Sequence, residues 1–384
     1  MRSTRPFRAT ITTAFLVVAA TSAEAQNELP AWTLGPTTMA AIGGKGVAST
    51  EFSRISAAFR LSNGMIAVAN GATLEIRVFD AQGWFVRAVG GGGGAPGKFQ
   101  SLTWIGRSGD TAFVFDFNLQ RITSFMLGSE PRLLQTIAFA PTSDRGRVEV
   151  SGRLSDGRWL VETTAHPGWD GPPGVHRLPA SVGLVDPAAA RPVEWLAQSD
   201  GLAVFVNNPT GDLHDAIVGP IAFTPSLLSA ASGATIWFGD SHTDSLALGT
   251  ADGILLTVRL PFPRRSPSAG MIDVAREREL ASAREEKFRS WVAARFSPQR
   301  VPPDLPYFGE LIPGPGGEMW VQEFAADRNE PSRYLVIGPT GSVRAWVNVP
   351  PGVRLRDVGL DYVVGTHEDD GGAETVRVYR LFRR

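Results

Sequence analysis

A repeated pattern of short strands and tight turns between Leu61 and Phe117 most constrains what this chain can fold into. It appears first as LSNGMIAVAN with IRVFDAQGWFVRAVG and, after a glycine-rich loop, again as RSGDTAFVFD with RITSFML. Each copy predicts short strands joined by tight turns. Sheet units that recur at a fixed spacing cannot bury their faces alone, so they must stack on their neighbours. A ring of such stacked sheets predicts a β-propeller.

The spacing of the turns extends this pattern to six sheets, or blades. Asp110 lies 46 residues after Gly64, and Gly157 lies 47 residues after Asp110. We expect the first blade to have strands at 54–61, 65–70, 76–80 and 84–89, and the second to span 102–137. The third begins near Val148 and carries a long Pro/Gly loop, HPGWDGPPGVH. The fourth, fifth and sixth blades are predicted around 232–260, 316–349 and 358–381.

The two ends of the chain complement one another in this scheme. The sixth blade is one strand short when the sequence ends, whereas residues 31–43 (AWTLGPTTMAAIG) form a strand with no partner nearby in sequence. Pairing of this orphan strand, from Trp32 to Ile42, with the sixth blade would leave no long open sheet edge. The sequence therefore predicts an all-β fold, a six-bladed β-propeller whose ring is closed by the N-terminal strand.

One segment departs from the β pattern. Between Pro267 and Pro298, apolar residues recur at helical spacings and face a polar side with several Arg and Glu residues. We expect an amphipathic helical insertion at about 268–296, packed on the propeller surface through Leu280, Phe288, Trp291, Val292 and Phe296. A lid or partner-binding helix is the alternative interpretation.

The N-terminal residues 1–25 are typical of a secretory signal peptide. Three arginines precede an apolar run from Ala14 to Ala20, and small residues end the segment at Ala25. The run is shorter than the roughly 20 residues that a membrane helix needs, and no later segment qualifies. We expect cleavage near Ala25/Gln26, one propeller domain over 26–384, and an exported protein that is periplasmic or extracellular.

Charge and cysteine content exclude several classes of function. Removing three of 37 Lys and Arg and one of 38 Asp and Glu with the signal peptide leaves 34 basic and 37 acidic residues. A nucleic-acid partner is therefore not expected. The chain has no cysteine, which excludes disulfides, cysteine-ligated zinc and a lipid-modified cysteine. Stability must come from packing and closure of the ring.

The glycine-rich run matches two nucleotide-binding motifs. Residues 92–98 (GGGAPGK) fit G-x4-G-K, and Gly92, Gly94 and Gly97 fit G-x-G-x-x-G. Both motifs need a following helix, whose N-terminus supplies backbone N–H groups and a positive dipole. The following FQSLTWIG reads as a strand instead, so we interpret the run as a connection between blades that Phe99 anchors in the core.

Four phrases resemble bacterial secreted six-bladed propellers of the NHL-like class. They are VFDAQGWFVRAVGGGGGAPGKF, VFDFNLQRITSF, GGEMWVQEF and DDGGAETVRVYRL. The second is similar to the NHL repeat's Asp-x4-Arg-Ile-x2-Phe, and the resemblance implies that Asp116 and Arg121 fix the loop through hydrogen bonds to the backbone. Members of this class range from ligand-binding scaffolds to metal-dependent hydrolases and lyases, so the resemblance specifies the fold rather than an activity.

All five histidines fall in segments that should open on one face of a propeller, where the second-to-third strand loops and the connections between blades lie. Imidazoles and neighbouring carboxylates can bind metal or move protons. None has a diagnostic ligand spacing, and polar residues favour loops in any case. The candidate ligand-binding residues on this face are His166, Trp169, Asp170, His214, Asp215, His242, Asp244 and His367.

These observations favour an exported binding scaffold whose small-molecule or protein partner contacts the histidine-bearing face. A metal-dependent hydrolase or lyase on that face is the first alternative. A divalent cation is then possible, although the sequence identifies no cofactor. A polysaccharide-binding or cell-envelope protein is the second, and exposed aromatic rings such as Trp169 would favour it. No serine or cysteine nucleophile motif supports other hydrolytic chemistry.

Overall fold

The computed structural model describes residues 29–44, 48–141, 143–163, 173–186, 193–207, 217–327, 330–369 and 372–384. Twenty-five strands and two helices lie within these ranges, so the described part of the chain is predominantly β, as the sequence predicts. The predicted signal peptide lies outside the described residues.

The first two sheets have four antiparallel strands each, paired in chain order. The tight turns account for this agreement with the sequence prediction: Gly64 has a φ of 85°, and the Asn63 side chain accepts a hydrogen bond from the Met65 N–H at 3.1 Å. Glycine adopts positive φ without strain, which lets the strands turn back tightly. The strands are β2 (Ile55–Arg60), β3 (Ile66–Asn70), β4 (Glu75–Phe79), β5 (Phe85–Gly90), β6 (Trp104–Ser108), β7 (Thr111–Asp116), β8 (Arg121–Met126) and β9 (Arg132–Ala138).

The third sheet is larger than the sequence predicts. Its third and fourth strands are 12 and 14 residues long, and a fifth strand pairs with its outer edge. Much of the predicted Pro/Gly loop lies outside the described residues. The fourth sheet returns to four strands. These strands are β10 (Val148–Arg153), β11 (Trp159–Thr163), β12 (Gly174–Val185), β13 (Glu194–Asn207), β14 (Ile217–Pro220), β15 (Leu227–Ser232), β16 (Thr235–Asp240), β17 (Ser245–Thr250) and β18 (Gly253–Arg259).

The remaining strands form one eight-stranded sheet in which the N-terminal strand joins two groups. This strand, β1 (Ala31–Gly43), pairs antiparallel with the last strand from Thr33 to Gly43, as the sequence predicts. Its first residues also pair in parallel with β22, which the sequence does not suggest. The other strands are β19 (Phe308–Pro313), β20 (Met319–Glu323), β21 (Ser332–Ile337), β22 (Val343–Val349), β23 (Val353–Val358), β24 (Tyr362–Glu368) and β25 (Glu374–Phe382).

Hydrophobic clusters lie between successive sheets. Phe99 is fully buried among residues of the first and second sheets, which confirms its predicted anchoring role. The last cluster joins Val364, Val376 and Val378 of β24 and β25 to Ile55 and Phe79 of the first sheet. We call first strands the opening strands of the four smaller sheets (β2, β6, β10 and β15) and of the two groups that β1 joins (β19 and β23). They contact one another in that order, and β23 in turn contacts β2. Each sheet thus buries both faces against neighbours, which is what repeat architectures require.

The insertion consists of two helices rather than the single helix expected from its periodicity. They are α1 (Ala269–Ser282) and α2 (Glu286–Arg295), and Ala283 between them has an extended backbone (φ −81°, ψ 104°). Trp291, Val292 and Phe296 pack on β13 and on residues after β14, so the predicted surface packing is correct for them. Phe288, in the first turn of α2, is 47% exposed, so the prediction of surface packing is wrong for this residue.

Candidate functional site: the central cavity

A cavity of about 850 Å³ lies where the first strands of the sheets meet. Residues of β2, β6, β10, β15, β19 and β23 all line it, together with the turn after β23. Small residues leave this space open, because serines and glycines recur in the lining strands. The lining serines are Ser56, Ser108, Ser151, Ser155, Ser229 and Ser232. A volume of this size matches the pockets of about 300–1,000 Å³ that hold small molecules.

An arginine and a carboxylate lock one part of the lining. Arg107 Nη2 lies 2.8 Å from Asp357 Oδ1, and Asp357 Oδ2 accepts hydrogen bonds from the Arg60 N–H at 3.1 Å and from the Tyr362 hydroxyl at 3.2 Å. Burial, reinforced by Asp357, raises the pKa of Tyr362 well above its usual value. The Asp357 carboxylate has its charge and its hydrogen bonds satisfied, so it joins β23 to β6 and is not a free base.

A second ion pair borders the cavity on the side of β19. Arg354 donates to Glu310 Oε1 from Nη2 at 2.9 Å and from Nε at 3.0 Å. Glu310 Oε2 accepts the hydroxyl of the fully buried Tyr334 at 3.2 Å. Because burial and Glu310 both disfavour the phenolate, the pKa of Tyr334 lies well above its usual value. This carboxylate, like that of Asp357, is already engaged.

Two other cavity-lining arginines form no ion pair with a described carboxylate, although each has an acidic residue nearby. Arg356 donates from Nε to Thr366 Oγ1 at 3.2 Å and from Nη2 to the Ile55 carbonyl at 3.0 Å, and both acceptors are neutral. Burial, together with the neighbouring Arg354, lowers the pKa of Arg356 to about 10. It remains a cation at neutral pH whose charge is only partly compensated.

Arg153 is the second of these arginines. Its Cζ lies 4.4 Å from the ring centroid of Phe113 and 5.5 Å from that of Trp159. Its Nε is buried and donates no hydrogen bond to any described residue, and burial lowers the pKa of Arg153. Stacking on aromatic faces stabilises a guanidinium by roughly 0.5–2 kcal/mol but leaves its in-plane N–H groups available.

The carboxyl group of Glu162 is connected to the cavity by the hydroxyl groups of two serines. Ser151 Oγ and Ser229 Oγ, which both line the cavity, lie 2.6 Å apart. Ser229 also hydrogen-bonds to Glu162 through its side chain and its backbone, yet burial raises the pKa of Glu162 to about 7, with Glu149 contributing. Glu149 faces Glu162 directly across β10 and β11. Glu162 can therefore exchange a proton near neutral pH at one edge of the cavity.

The predicted histidine-bearing face is described only in part. His166, Trp169, Asp170, His214 and Asp215 lie outside the described residues. His242 lies in the turn after β16 and is exposed, and its N–H donates to Asp240 Oδ1 at 3.0 Å. Asp244 pairs with Arg259 at 2.8 Å. His367 lies on β24, in another sheet and opposite Val353.

The structure does not bring these three residues together around one point. His242 lies close enough to Asp304 to help lower the pKa of that carboxyl, although the hydrogen bond from Arg264 is the larger cause. Across the described residues, no group of three or more His, Asp or Glu side chains is arranged to hold a metal ion. The candidate role of this face stays a prediction.

The glycine-rich loop has the structural role expected of it. Asp116 is fully buried and accepts hydrogen bonds from the N–H groups of Gln100, Asn118 and Leu119 at 2.7–3.0 Å and from the Ser101 hydroxyl at 2.8 Å. Arg121 donates to the carbonyls of Gly94 and Ala95, both at 2.8 Å. The predicted backbone-fixing roles of Asp116 and Arg121 are confirmed. A strand, β6, follows the run rather than the helix that a phosphate loop requires.

The sequence predictions do not include the arginines of the cavity, although the repeat contains a signal for two of them, Arg107 and Arg153. Arg60, Arg107 and Arg153 each stand near the end of a first strand, just before turns written LSNG, SGD and LSDG. Alignment of the repeats places these arginines at the same end of their strands. Arg356 and Glu162 have no such signature, because nothing in the sequence shows that they lie at or near the cavity.

Comparisons with known proteins support the fold and no more. No protein-family model matches the sequence, and no curated protein matches it. The chain is similar in structure to a member of the DUF4221 family from Bacteroides vulgatus, with a TM-score of 0.53, 9% identity and coverage of 91% of this chain and 98% of that one.

Two further solved structures have lower scores. A Bacteroides fragilis protein, whose name describes it as exported, has a TM-score of 0.46 at 12% identity. The match covers 91% of this chain and 98% of that one. A regucalcin from Agrobacterium tumefaciens, named as a calcium-binding protein, has a TM-score of 0.40 at 11% identity, with 92% and 97% covered. The likeness to the DUF4221 structure, at 9% identity, shows a fold and not a function. The chain has a β-propeller-like fold.

Proposed function

We propose that this chain is an exported six-bladed β-propeller that binds a small molecule in its central cavity. The observation that carries the proposal is the cavity itself, which is bordered by polar side chains from the first strand of every sheet. Ligand pockets are concave, of this volume, and contain a few polar groups that fix orientation. The cavity thus replaces the histidine-bearing face as the preferred binding site.

Six blades and a closed ring are part of this proposal. The cyclic contacts of the first strands and the hydrophobic cluster that joins the last sheet to the first support it. The pairing of β1 with β25 supports closure by the N-terminal strand. A closed ring keeps the cavity walls fixed and removes open sheet edges.

Export is also proposed, on the basis of the signal-peptide pattern in residues 1–25. No helix in the described part of the chain is long and apolar enough to cross a bilayer. Mass spectrometry of protein recovered from outside the cytoplasm should give an N-terminus at or near Gln26, and an intact Met1 in that material would contradict export by cleavage.

A blocking substitution tests the site. Ser108 lines the cavity and makes no hydrogen bond through its side chain to a described residue, so Ser108→Trp should fill space without removing a contact. Ligands found by thermal-shift screening of amino acids, sugars and organic acids should lose their effect in this variant. They should keep it in Ser129→Trp, whose exposed position follows β8. Ligands that bind both variants equally would place the site elsewhere.

Exposed aromatic rings favour a second candidate, the predicted cell-envelope or polysaccharide-binding role. Trp84 is 75% exposed and Phe85 is 43% exposed at the start of β5, and aromatic rings commonly stack on ligands at such surfaces. Co-sedimentation with purified cell-wall polysaccharide, compared between the parent and Trp84→Ala, tests it. Equal sedimentation of both proteins would remove this candidate.

The alternative function, a metal-dependent hydrolase or lyase, can be tested separately. Elemental analysis of the mature protein, with and without chelator, would reveal a tightly held divalent cation, and about one equivalent would favour a hydrolase or lyase. Replacing His242 and His367 together would then show whether the predicted face holds it.

A further inference from the structure

Charge in the cavity is unevenly compensated. Of its lining arginines, Arg107 is paired with Asp357. The lining carboxylate Glu310 is paired with Arg354 from the strand beside it. Arg153 and Arg356 form no ion pair with a described carboxylate, although Asp156 lies near Arg153 and Glu310 and Glu374 lie near Arg356. The remaining lining carboxylate, Asp361, is exposed in the turn after β23. The cavity wall therefore presents two incompletely satisfied cations.

The two arginines stand on opposite sides of the cavity. Arg153 belongs to β10 and Arg356 to β23. In the cyclic order of contacts, two first strands separate β10 from β23 in either direction. The strands that carry the two arginines therefore lie on opposite sides of the cavity.

Each arginine retains donors for a ligand. Arg356 uses Nε and Nη2 for neutral oxygens, and its Nη1 has no hydrogen-bond partner among the described residues. Arg153 donates no hydrogen bond to the described part of the chain, while its ring contacts hold the side chain in place. Guanidinium groups bind carboxylates and phosphates through paired, charge-assisted hydrogen bonds, and the binding is strongest where water is partly excluded.

The serines add neutral donors around these charges. Ser108 directly follows Arg107, and Ser155 lies two residues after Arg153. Both line the cavity, and their hydroxyls make no hydrogen bond to a described residue. Hydroxyl groups can donate to an anion or accept from a ligand hydroxyl. The wall is therefore suited to a polar, oxygen-rich molecule rather than an apolar one.

We propose that the central cavity binds a small organic anion, bearing carboxylate or phosphate groups, which Arg153 and Arg356 contact from opposite sides. This inference rests on the proposed function, because it assigns a ligand class to that same cavity. Guanidinium groups bind carboxylate and phosphate through the same kind of hydrogen bond. Titrating one probe of each kind therefore distinguishes the two ligand classes.

The test uses citrate and inorganic phosphate as probes, titrated into the mature protein by isothermal calorimetry at constant ionic strength. At least one probe should bind, and triethyl citrate, which lacks the charges, should not. Arg153→Gln and Arg356→Gln should each weaken binding by about tenfold or more, as expected for loss of a charge-assisted hydrogen bond. Binding of citrate but not of phosphate would indicate that the site recognises carboxylates. Binding of phosphate but not of citrate would indicate that it recognises phosphate groups.

Arg259→Gln is the matched control, since the Arg259 side chain is 85% exposed in the outer strand β18. It should bind like the parent. Equal losses in the control and the cavity variants, or no binding of either anion, would overturn the inference. If neither anion binds but a neutral or cationic compound binds the parent and not Ser108→Trp, the cavity is still a binding site. Only the proposed specificity for anions is then wrong. Melting curves of Arg153→Gln, which removes no hydrogen bond to a described residue, separate a binding loss from misfolding.

Discussion

The guanidinium of Arg383 lies over the ring of Trp32, with Cζ 4.4 Å from the ring centroid. Arg383 Nη1 also donates to both carboxylate oxygens of Glu318, at 2.8 and 2.9 Å, and Trp32 lies 6.1 Å from the ring of Trp320. Residues from the two ends of the chain thus meet beside β20. This contact supports the pairing of β1 with β25.

Deleting residues 26–45 tests the closing strand. The deletion removes β1, leaves β25 without its neighbour and exposes one side of the clusters that Trp32 and Ile42 join. We expect a large fall in the melting temperature, or loss of folding. The deletion leaves the edge of β25 unpaired and exposes apolar surface that is buried in the intact protein. Melting like the parent, measured by circular dichroism, would contradict closure by this strand.

Replacing Glu318 by Gln should destabilise the same junction. The Glu318 side chain is 3% exposed and pairs with Arg344 at 3.0 Å and with Arg383 at 2.8 Å. Removing its charge leaves two guanidinium groups incompletely compensated, with an expected loss of about 2–4 kcal/mol in the free energy of unfolding. Urea denaturation measures it. Glu286→Gln, at an 87% exposed side chain, should change stability by less than about 0.5 kcal/mol.

Asp116→Ala should loosen the glycine-rich connection. The carboxylate is the shared acceptor of several backbone donors, and its loss leaves them unsatisfied at a cost of about 2–4 kcal/mol. Faster amide exchange confined to residues near 91–101 and 117–120 would show the local effect. Asp252→Ala, in the exposed turn between β17 and β18, should exchange like the parent.

Glu162 predicts a pH dependence of stability. Its pKa is raised from 4.5 to about 7 in the folded protein, so the folded state holds the proton more tightly than the unfolded state does. Stability from this group is therefore highest at low pH and is lost between about pH 4.5 and 7. Glu162→Gln should gain up to about 3 kcal/mol relative to the parent at pH 8 and little at pH 5.

Urea denaturation at both pH values checks this expectation. Glu277→Gln, at an exposed position of α1, is the control and should show no pH-dependent difference from the parent. A Glu162→Gln difference that is the same at pH 5 and pH 8 would argue against a raised pKa.

The sequence predicts the first two sheets within one or two residues, because Asn63-Gly64 and similar turns fix where each strand ends. It predicts the third sheet less well. The strands β12 and β13 run through residues that look like turn and loop, such as Gly183 and Gly201, since pairing between long neighbours overrides local preference there. The helix break at Ala283 was also missed, because no glycine or proline marks it.

The cavity was harder to predict than the fold. Histidine, aspartate and glutamate residues in predicted loops suggest a functional site. A charged residue near the end of a predicted strand is instead expected to be exposed to solvent. Arg153 and Arg356 line the centre because neighbouring sheets converge there, and that convergence depends on residues far away in the chain. Of the three cavity arginines, only Arg107 and Arg153 recur at an equivalent position of the repeat, so the sequence indicates two of the three.

The pairing of β1 with β25 also bears on how the protein is made. Chains are synthesised from the N-terminus, so β1 emerges early and stays without its main partner until the last strand follows. The sheets between them can stack as they appear, but β1 and β25 can pair only after β25 has been synthesised. A product truncated before β25 would expose the edges of both β1 and β24, which are the surfaces through which incomplete chains aggregate.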